Sequence, residues 1–184
     1  MGKRSAFARV PRDAYDTPEA AVAPILRFLV PQVRFAEPCA GAGALVGHLE
    51  RTGRRCVLAR DVAPRGPGIA TGDALALTAD DLADAEVVVT NPPWERSFLH
   101  RFLAHVLALD VPTWLLLDAG WAYTRQAAPY LADCRMIVSV GRVRWIPGSA
   151  YTAKDDCAWY LFSRPLAPRC GADRFPLFVP RTEG

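Results

Sequence analysis

The stretch "VVVTNPPWERSF", residues 87–98, decides how the whole chain is read. Val87, Val88 and Val89 form an apolar β-branched run without polar alternation, the pattern of a strand covered on both faces. Pro92 and Pro93 cannot donate to a ladder and hold the backbone stiffly extended, so the strand must stop at Asn91. The expected product is a rigid corner at the carboxyl end of a central strand. In open α/β sheets that edge is where ligands bind.

Outward from this corner, strands alternate with helices. "VRFAEPCAGAGALVGHLERTG" (33–53) reads as strand, glycine loop and a helix ending near Gly53. "RRCVLARDV" is a second strand finishing at Asp61, and the proline- and glycine-rich "APRGPGIATGDAL" is a loop around a short third strand ending at Asp73. "LTADDLADAE" reads as a short helix capped by Thr78. Phe98, Phe102, Val106 and Leu109 make a helical stripe in "SFLHRFLAHVLAL", and "TWLLLDAG" is a fifth buried strand. "CRMIVSVGRVRWI" and "CAWYLFSR" close the pattern as two strands joined without a helix. Upstream, "TPEAAVAPILRFLV" (17–30) predicts an amphipathic helix with Thr17 as N-cap and Pro18 at its first position. The expectation is an α/β sheet, mostly parallel with right-handed crossovers and an antiparallel C-terminal edge strand.

With 184 residues, 51% hydrophobic and 22% charged, the chain suits a single globular domain over 1–184, with a basic arm at 1–14 and an irregular basic tail at 165–184. No apolar stretch is long enough to cross a bilayer, and the first residues lack a signal-peptide core, so a cytoplasmic protein without membrane contact is expected. Five scattered cysteines without a CxxC pair point to reduced thiols and to no metal site. The net charge of +3 permits nucleic acid as a partner. Its basic side chains are nearly all arginine, which suits phosphate through the bidentate fork and equally suits a GC-rich genome.

The chemistry lies at the strand ends. Gly41 and Gly43 let the backbone turn and approach a ligand, and the helix that follows presents free N–H groups. Glu37, just before the glycines, would repel a pyrophosphate but receive an ammonium group, and Val46 replaces the third glycine of a dinucleotide fingerprint. That combination favours a cofactor with a cationic amino-acid end, such as S-adenosylmethionine, over NAD. Asp61 can accept hydrogen bonds from both ribose hydroxyls, or be an ordinary loop aspartate. Asp73 can receive an adenine amino group, or simply make a turn. At the corner, Asn91 offers its side-chain oxygen and Pro92 its carbonyl to the hydrogens of an amino group. Two such acceptors would turn a delocalised lone pair toward an electrophilic methyl. Trp94 offers a face for a planar base, worth about 1–3 kcal/mol in comparable contacts, or anchors the turn. There is no GxSxG elbow, HExxH pair or Walker lysine. His48 and His105 fall on helices, and Asp118 either shapes the substrate mouth or caps the next turn.

In that order, "EPCAGAG", the acid of "ARDV", "GDAL" and "NPPW" resemble the successive motifs of class I S-adenosylmethionine-dependent methyltransferases. The NPPW form most resembles amino-group methyltransferases, above all DNA adenine-N6 enzymes of phage and prophage kind. "YDTPEAAV" resembles the segment that such enzymes place before the glycine loop, closing over the cofactor's carboxylate. The resemblance implies a Rossmann-like three-layer sandwich and S-adenosylmethionine as cofactor. It implies that Tyr15, Thr17 and Pro18 border the methionine end, that Glu37, Cys39, Gly41 and Gly43 line the loop, that Asp61 holds the ribose, and that Asp73 and Ala74 hold the adenine. Asn91, Pro92, Pro93 and Trp94 would form the target-amine site, with Asn91 also against the cofactor. Trp145, Tyr151 and Lys154 would contact the substrate from the closing hairpin. The chain departs from many DNA adenine methyltransferases in having no room for a separate target-recognition domain, so that task would fall to loops, the basic arms or a protein partner. The alternatives are methylation of an RNA base or a protein glutamine amide, and a non-catalytic cofactor-binding subunit.

Overall fold

The computed structural model describes residues 15–146, 148, 155–164 and 177–179. Tyr151 and Lys154 lie outside the described residues, as do the basic arm and most of the tail. Within them, strands β1 (Arg34–Glu37), β2 (Arg55–Asp61), β3 (Ala70–Thr71), β4 (Val87–Thr90), β5 (Thr113–Asp118), β6 (Cys134–Gly141), β7 (Cys157–Phe162) and β8 (Leu177–Val179) form one sheet in the order β3-β2-β1-β4-β5-β7-β6-β8. The strands from β3 to β5 pair in parallel.

The valine run explains the layering. All four residues of β4 are buried. Successive side chains of a strand point to opposite faces, and here both faces are covered. Val87 and Val89 join Phe35, Trp114, Leu116 and Trp159 in one core. That core is closed by helix α1 (Glu19–Val22), the 3₁₀ turn after it and helix α2 (Ala44–Arg51). Val88 joins Ala36, Leu115, Leu117 and Tyr160 in the other, under Leu99, Phe102, Leu103 and Val106 of helix α3 (Arg96–Ala108). The result is three layers, helix–sheet–helix.

Several local expectations change. The helix expected over 17–30 is α1 followed by a 3₁₀ turn over Ala23–Phe28. Pro24 lacks the N–H and its ring crowds the carbonyl one turn back, so an α-helix cannot pass through it. Pro18 is the N-cap residue rather than the first helical position, and Thr17 makes no cap. Residues 77–86 form turns instead of a helix; Thr78 and Asp81 do exchange the hydrogen bonds of a capping box, Thr78 N to Asp81 Oδ2 at 3.0 Å and Asp81 N to Thr78 Oγ1 at 3.1 Å. The antiparallel region falls toward the C-terminal edge as expected, but its antiparallel strand, β7, lies between β5 and β6. The tail read as irregular contributes β8, which pairs in parallel with β6. Among the described residues, no helix is long and apolar enough to cross a membrane.

Strand β1 lies between β2 and β4, so consecutive connections depart from it in opposite directions. The glycine loop after β1 and the proline corner after β4 therefore meet at the sheet's switch point, where a crevice must open.

Candidate functional site

A cavity of about 920 Å³ fills that crevice. Of the positions singled out by sequence, Tyr15, Thr17, Glu37, Cys39, Gly41, Asp61, Asp73, Ala74, Asn91 and Pro93 line it. Pro18, Gly43, Pro92, Trp94 and Trp145 do not. Gly43 instead starts α2 in the left-handed region at φ 82°, and a Cβ there would meet Ile69 Cδ1 at 3.2 Å.

Glu37 is the most unusual group in the cavity. It is 1% exposed, and its Oε2 has no hydrogen-bond partner. Burial pushes its pKa well up, the negative charge of Asp61 adds to the rise, and the N–H of Val46 in the first turn of α2 opposes it. A buried carboxyl with a vacant oxygen is costly unless something cationic or donating completes it. Asp61 is better served: its Oδ2 accepts from Gly41 N at 2.8 Å and its Oδ1 from Ala63 N at 2.8 Å. A carboxylate has about four acceptor sites, so it retains capacity toward the cavity. Arg60, its neighbour in sequence, is drawn away into an ion pair with Asp81. Asp73 makes the turn that sequence allowed, accepting from Leu75 N at 2.9 Å, and it also lines the cavity. Burial, then the charges of Asp61 and Glu37, raise the pKa of Cys39 and keep its thiol protonated, which argues against a thiolate nucleophile.

At the corner, Asn91 Nδ2 donates to Thr17 Oγ1 at 3.2 Å, so the amide oxygen remains available. This contact is also why Thr17 is not a cap: its hydroxyl is turned inward, and the residue is 5% exposed. Trp94 is fastened differently from a free stacking face. Its Nε1 donates to Leu116 O at 3.0 Å, and its ring meets Trp145 edge-on at 5.8 Å, with Tyr15 6.2 Å beyond Trp145. The indole is a fixed part of an aromatic wall beside the cavity.

Sequence reasoning missed Asp16, Arg65, Glu95 and Phe98, which also line the cavity. The signal for Arg65 was present, a lone arginine in a proline–glycine loop directly after an acidic strand end. Asp118 lies elsewhere. It caps the next turn by accepting from Gly120 N at 2.6 Å and lines a separate cavity of about 370 Å³ with Asp155 and Asp156. Burial raises its pKa, and those two charges add to the rise. Among the described residues, no cluster of His, Cys, Asp and Glu is arranged to hold a metal ion.

No protein-family model and no curated protein sequence matches the chain. Solved structures do. A Pyrococcus horikoshii protein assigned as an RNA methyltransferase aligns with a TM-score of 0.61 at 15% identity, over 88% of this chain and 92% of that one. The E. cuniculi Mtq2 complex, responsible for methylation of the eRF1 translation termination factor, aligns with a TM-score of 0.56 at 14% identity, over 83% and 99%. The methyltransferase subunit of a type I restriction-modification system from Streptococcus thermophilus aligns with a TM-score of 0.54 at 10% identity, over 95% of this chain and 47% of the subunit. The likeness is one of fold. The chain folds as the Rossmann-like class I S-adenosylmethionine-dependent methyltransferases do.

Proposed function

We propose that this chain transfers a methyl group from S-adenosylmethionine to an exocyclic amino group, with adenine N6 in DNA as the acceptor. The observation that carries the reading is the buried, unpartnered Oε2 of Glu37 in the same cavity as Asp61 and Asn91. The residues present fit the cofactor. Glu37 would receive its ammonium, Asp61 its ribose hydroxyls, and Asp73 with Ala74 its adenine.

The cofactor supplies a methyl on a positively charged sulfur, whose bonding pair returns to the sulfur as the new carbon–nitrogen bond forms. The protein has to hold the acceptor in line, and alignment of this kind accounts for much of such a barrier. Asn91 Oδ1 and the Pro92 carbonyl would accept the two amino hydrogens, localising the nitrogen lone pair. The proton lost after transfer passes to solvent. Thr17, by engaging Asn91 Nδ2, orients that amide. A duplex adenine must first leave the stack, at a cost of a few kcal/mol. The wall of Trp94 and Trp145 would offset part of that. Target recognition would be shared with a protein partner, a reading supported by neighbours that work within assemblies.

Tritiated-methyl transfer compared across DNA, RNA and protein fractions tests the proposal. Label in DNA adenine is the expected result, and label only in RNA or only in protein would overturn the DNA assignment. Asn91→Ala should lower turnover by about 10²–10³, as for removal of one group that stabilises a transition state. Unaltered turnover would refute the role given to Asn91.

A further inference from the structure

Arg65 is the one basic side chain among the described residues lining the cavity, where Asp16, Glu37, Asp61, Asp73 and Glu95 supply carboxyl groups. Its position is set by main chain. Arg65 N donates to Gly41 O at 2.9 Å, and the next residue, Gly66, lies so close to the glycine loop that a Cβ would fall 2.2 Å from Ala42 O. The guanidinium lies over the loop, with Nη2 2.9 Å from where a Cβ on Gly41 would be. That nitrogen now binds Asp16 Oδ1 at 2.7 Å. Both side chains are nearly half exposed, 41% and 49%, and ion pairs so exposed contribute little. A guanidinium has five N–H donors in a planar fork that matches a carboxylate. Asp16 is thus a weak partner that another carboxylate can replace.

An amino-acid end carries one ammonium and one carboxylate. In this cavity the ammonium has several acceptors to choose from, whereas the carboxylate has one cation. We propose that Arg65 binds the carboxylate of the cofactor's amino-acid end, exchanging Asp16 for it. This rests on the methyltransferase reading above. It makes Arg65 the residue that distinguishes the full cofactor from nucleosides lacking the carboxylate.

Isothermal titration of the full chain with two probes tests the exchange. One probe is S-adenosylhomocysteine. The other is its decarboxylated analogue, which keeps the adenosine, the thioether and the ammonium. Wild type should prefer S-adenosylhomocysteine. Arg65→Gln should weaken that probe by about 10- to 100-fold, the span expected for a charge-assisted bond, and leave the analogue unchanged. Asp16→Asn breaks the same ion pair from the other side but keeps the guanidinium, so it should preserve or increase the preference. Equal weakening of both probes by Arg65→Gln would make Arg65 a latch on the loop and overturn the proposal, and so would no weakening at all. Erasure of the preference by Asp16→Asn would overturn it too. A wild-type chain that binds neither probe would sink the methyltransferase reading itself, and this inference with it.

Discussion

Glu37→Gln gives a prediction whose size follows from the burial of one group. The carboxyl is 1% exposed with one oxygen unpartnered, and its pKa is raised mainly by desolvation. In the unfolded chain the same group titrates near about 4.3. Between the unfolded and folded values, the native state keeps a proton that the unfolded state has lost. Unfolding then releases one proton, and stability falls by about 1.4 kcal/mol for each pH unit gained. The sign is therefore opposite to that of a salt-bridged carboxylate: the penalty is absent below the unfolded value, grows as pH rises, and is complete above the folded one. The glutamine variant has no proton to lose at this position. Urea unfolding of wild type and variant at intervals from acid to slightly alkaline pH should give curves that coincide in shape in acid, diverge with that slope, and become parallel once wild-type Glu37 has ionised. The break marks the folded pKa. Taking the difference cancels groups common to both proteins, among them Asp118, whose pKa is also raised. A cationic ligand should reverse the effect in wild type alone, and titration calorimetry in buffers of different ionisation enthalpy should detect a proton released on binding S-adenosylhomocysteine. Parallel curves across the whole range would refute the argument that Glu37 is a buried, incomplete acid awaiting a cation.

Other perturbations test the surrounding frame. Gly66→Ala sets a Cβ 2.2 Å from Ala42 O and 2.8 Å from its carbonyl carbon. Both contacts are main chain and cannot relax by a rotamer change, so urea titration should show a loss of about 1–3 kcal/mol together with weaker S-adenosylhomocysteine binding. Unchanged values would mean that the two loops are not coupled. Trp94→Phe removes the bond to Leu116 O and should cost about 1 kcal/mol, measured the same way, without altering cofactor affinity. A large loss of cofactor affinity would move Trp94 into the cavity. Trp159→Phe strips the fully buried Nε1 from Ala21 O, 2.6 Å away. Leaving that carbonyl unpaired should cost about 1–3 kcal/mol, and thermal unfolding at an unchanged midpoint would contradict it.

What could be read in advance, and what could not, follows from the range of each interaction. The β4 corner was legible because three valines and two prolines act on their own backbone: the strand preference of the unbroken apolar run and the missing N–H groups are local, whichever segments later cover the two faces. Asp61 and Asp73 were legible as strand-end carboxylates for the same reason. The failures have two different sources. Over 17–30 the apolar period was right and Ile25 is fully buried, yet Pro24 overrode the pattern with a purely local clash. That error was avoidable. Thr17 is the other kind. Its cap motif was locally valid, but the hydroxyl binds Asn91, a residue 74 positions away, and no window of sequence contains that pair. For Trp94 the sequence left a stacking face and a turn anchor both open, because the bond to Leu116 O is invisible until β4 and β5 are neighbours. Arg65 combines both conditions: its loop could be placed from glycines and prolines, but its meaning arises only when Gly41, Ala42 and Asp16 converge on it. A cavity assembled at a switch point draws its walls from segments far apart in the chain. Of its charged members, Glu37, Asp61 and Asp73 stand near strand ends and could be read there, whereas Asp16, Arg65 and Glu95 gain their meaning only from the assembled walls.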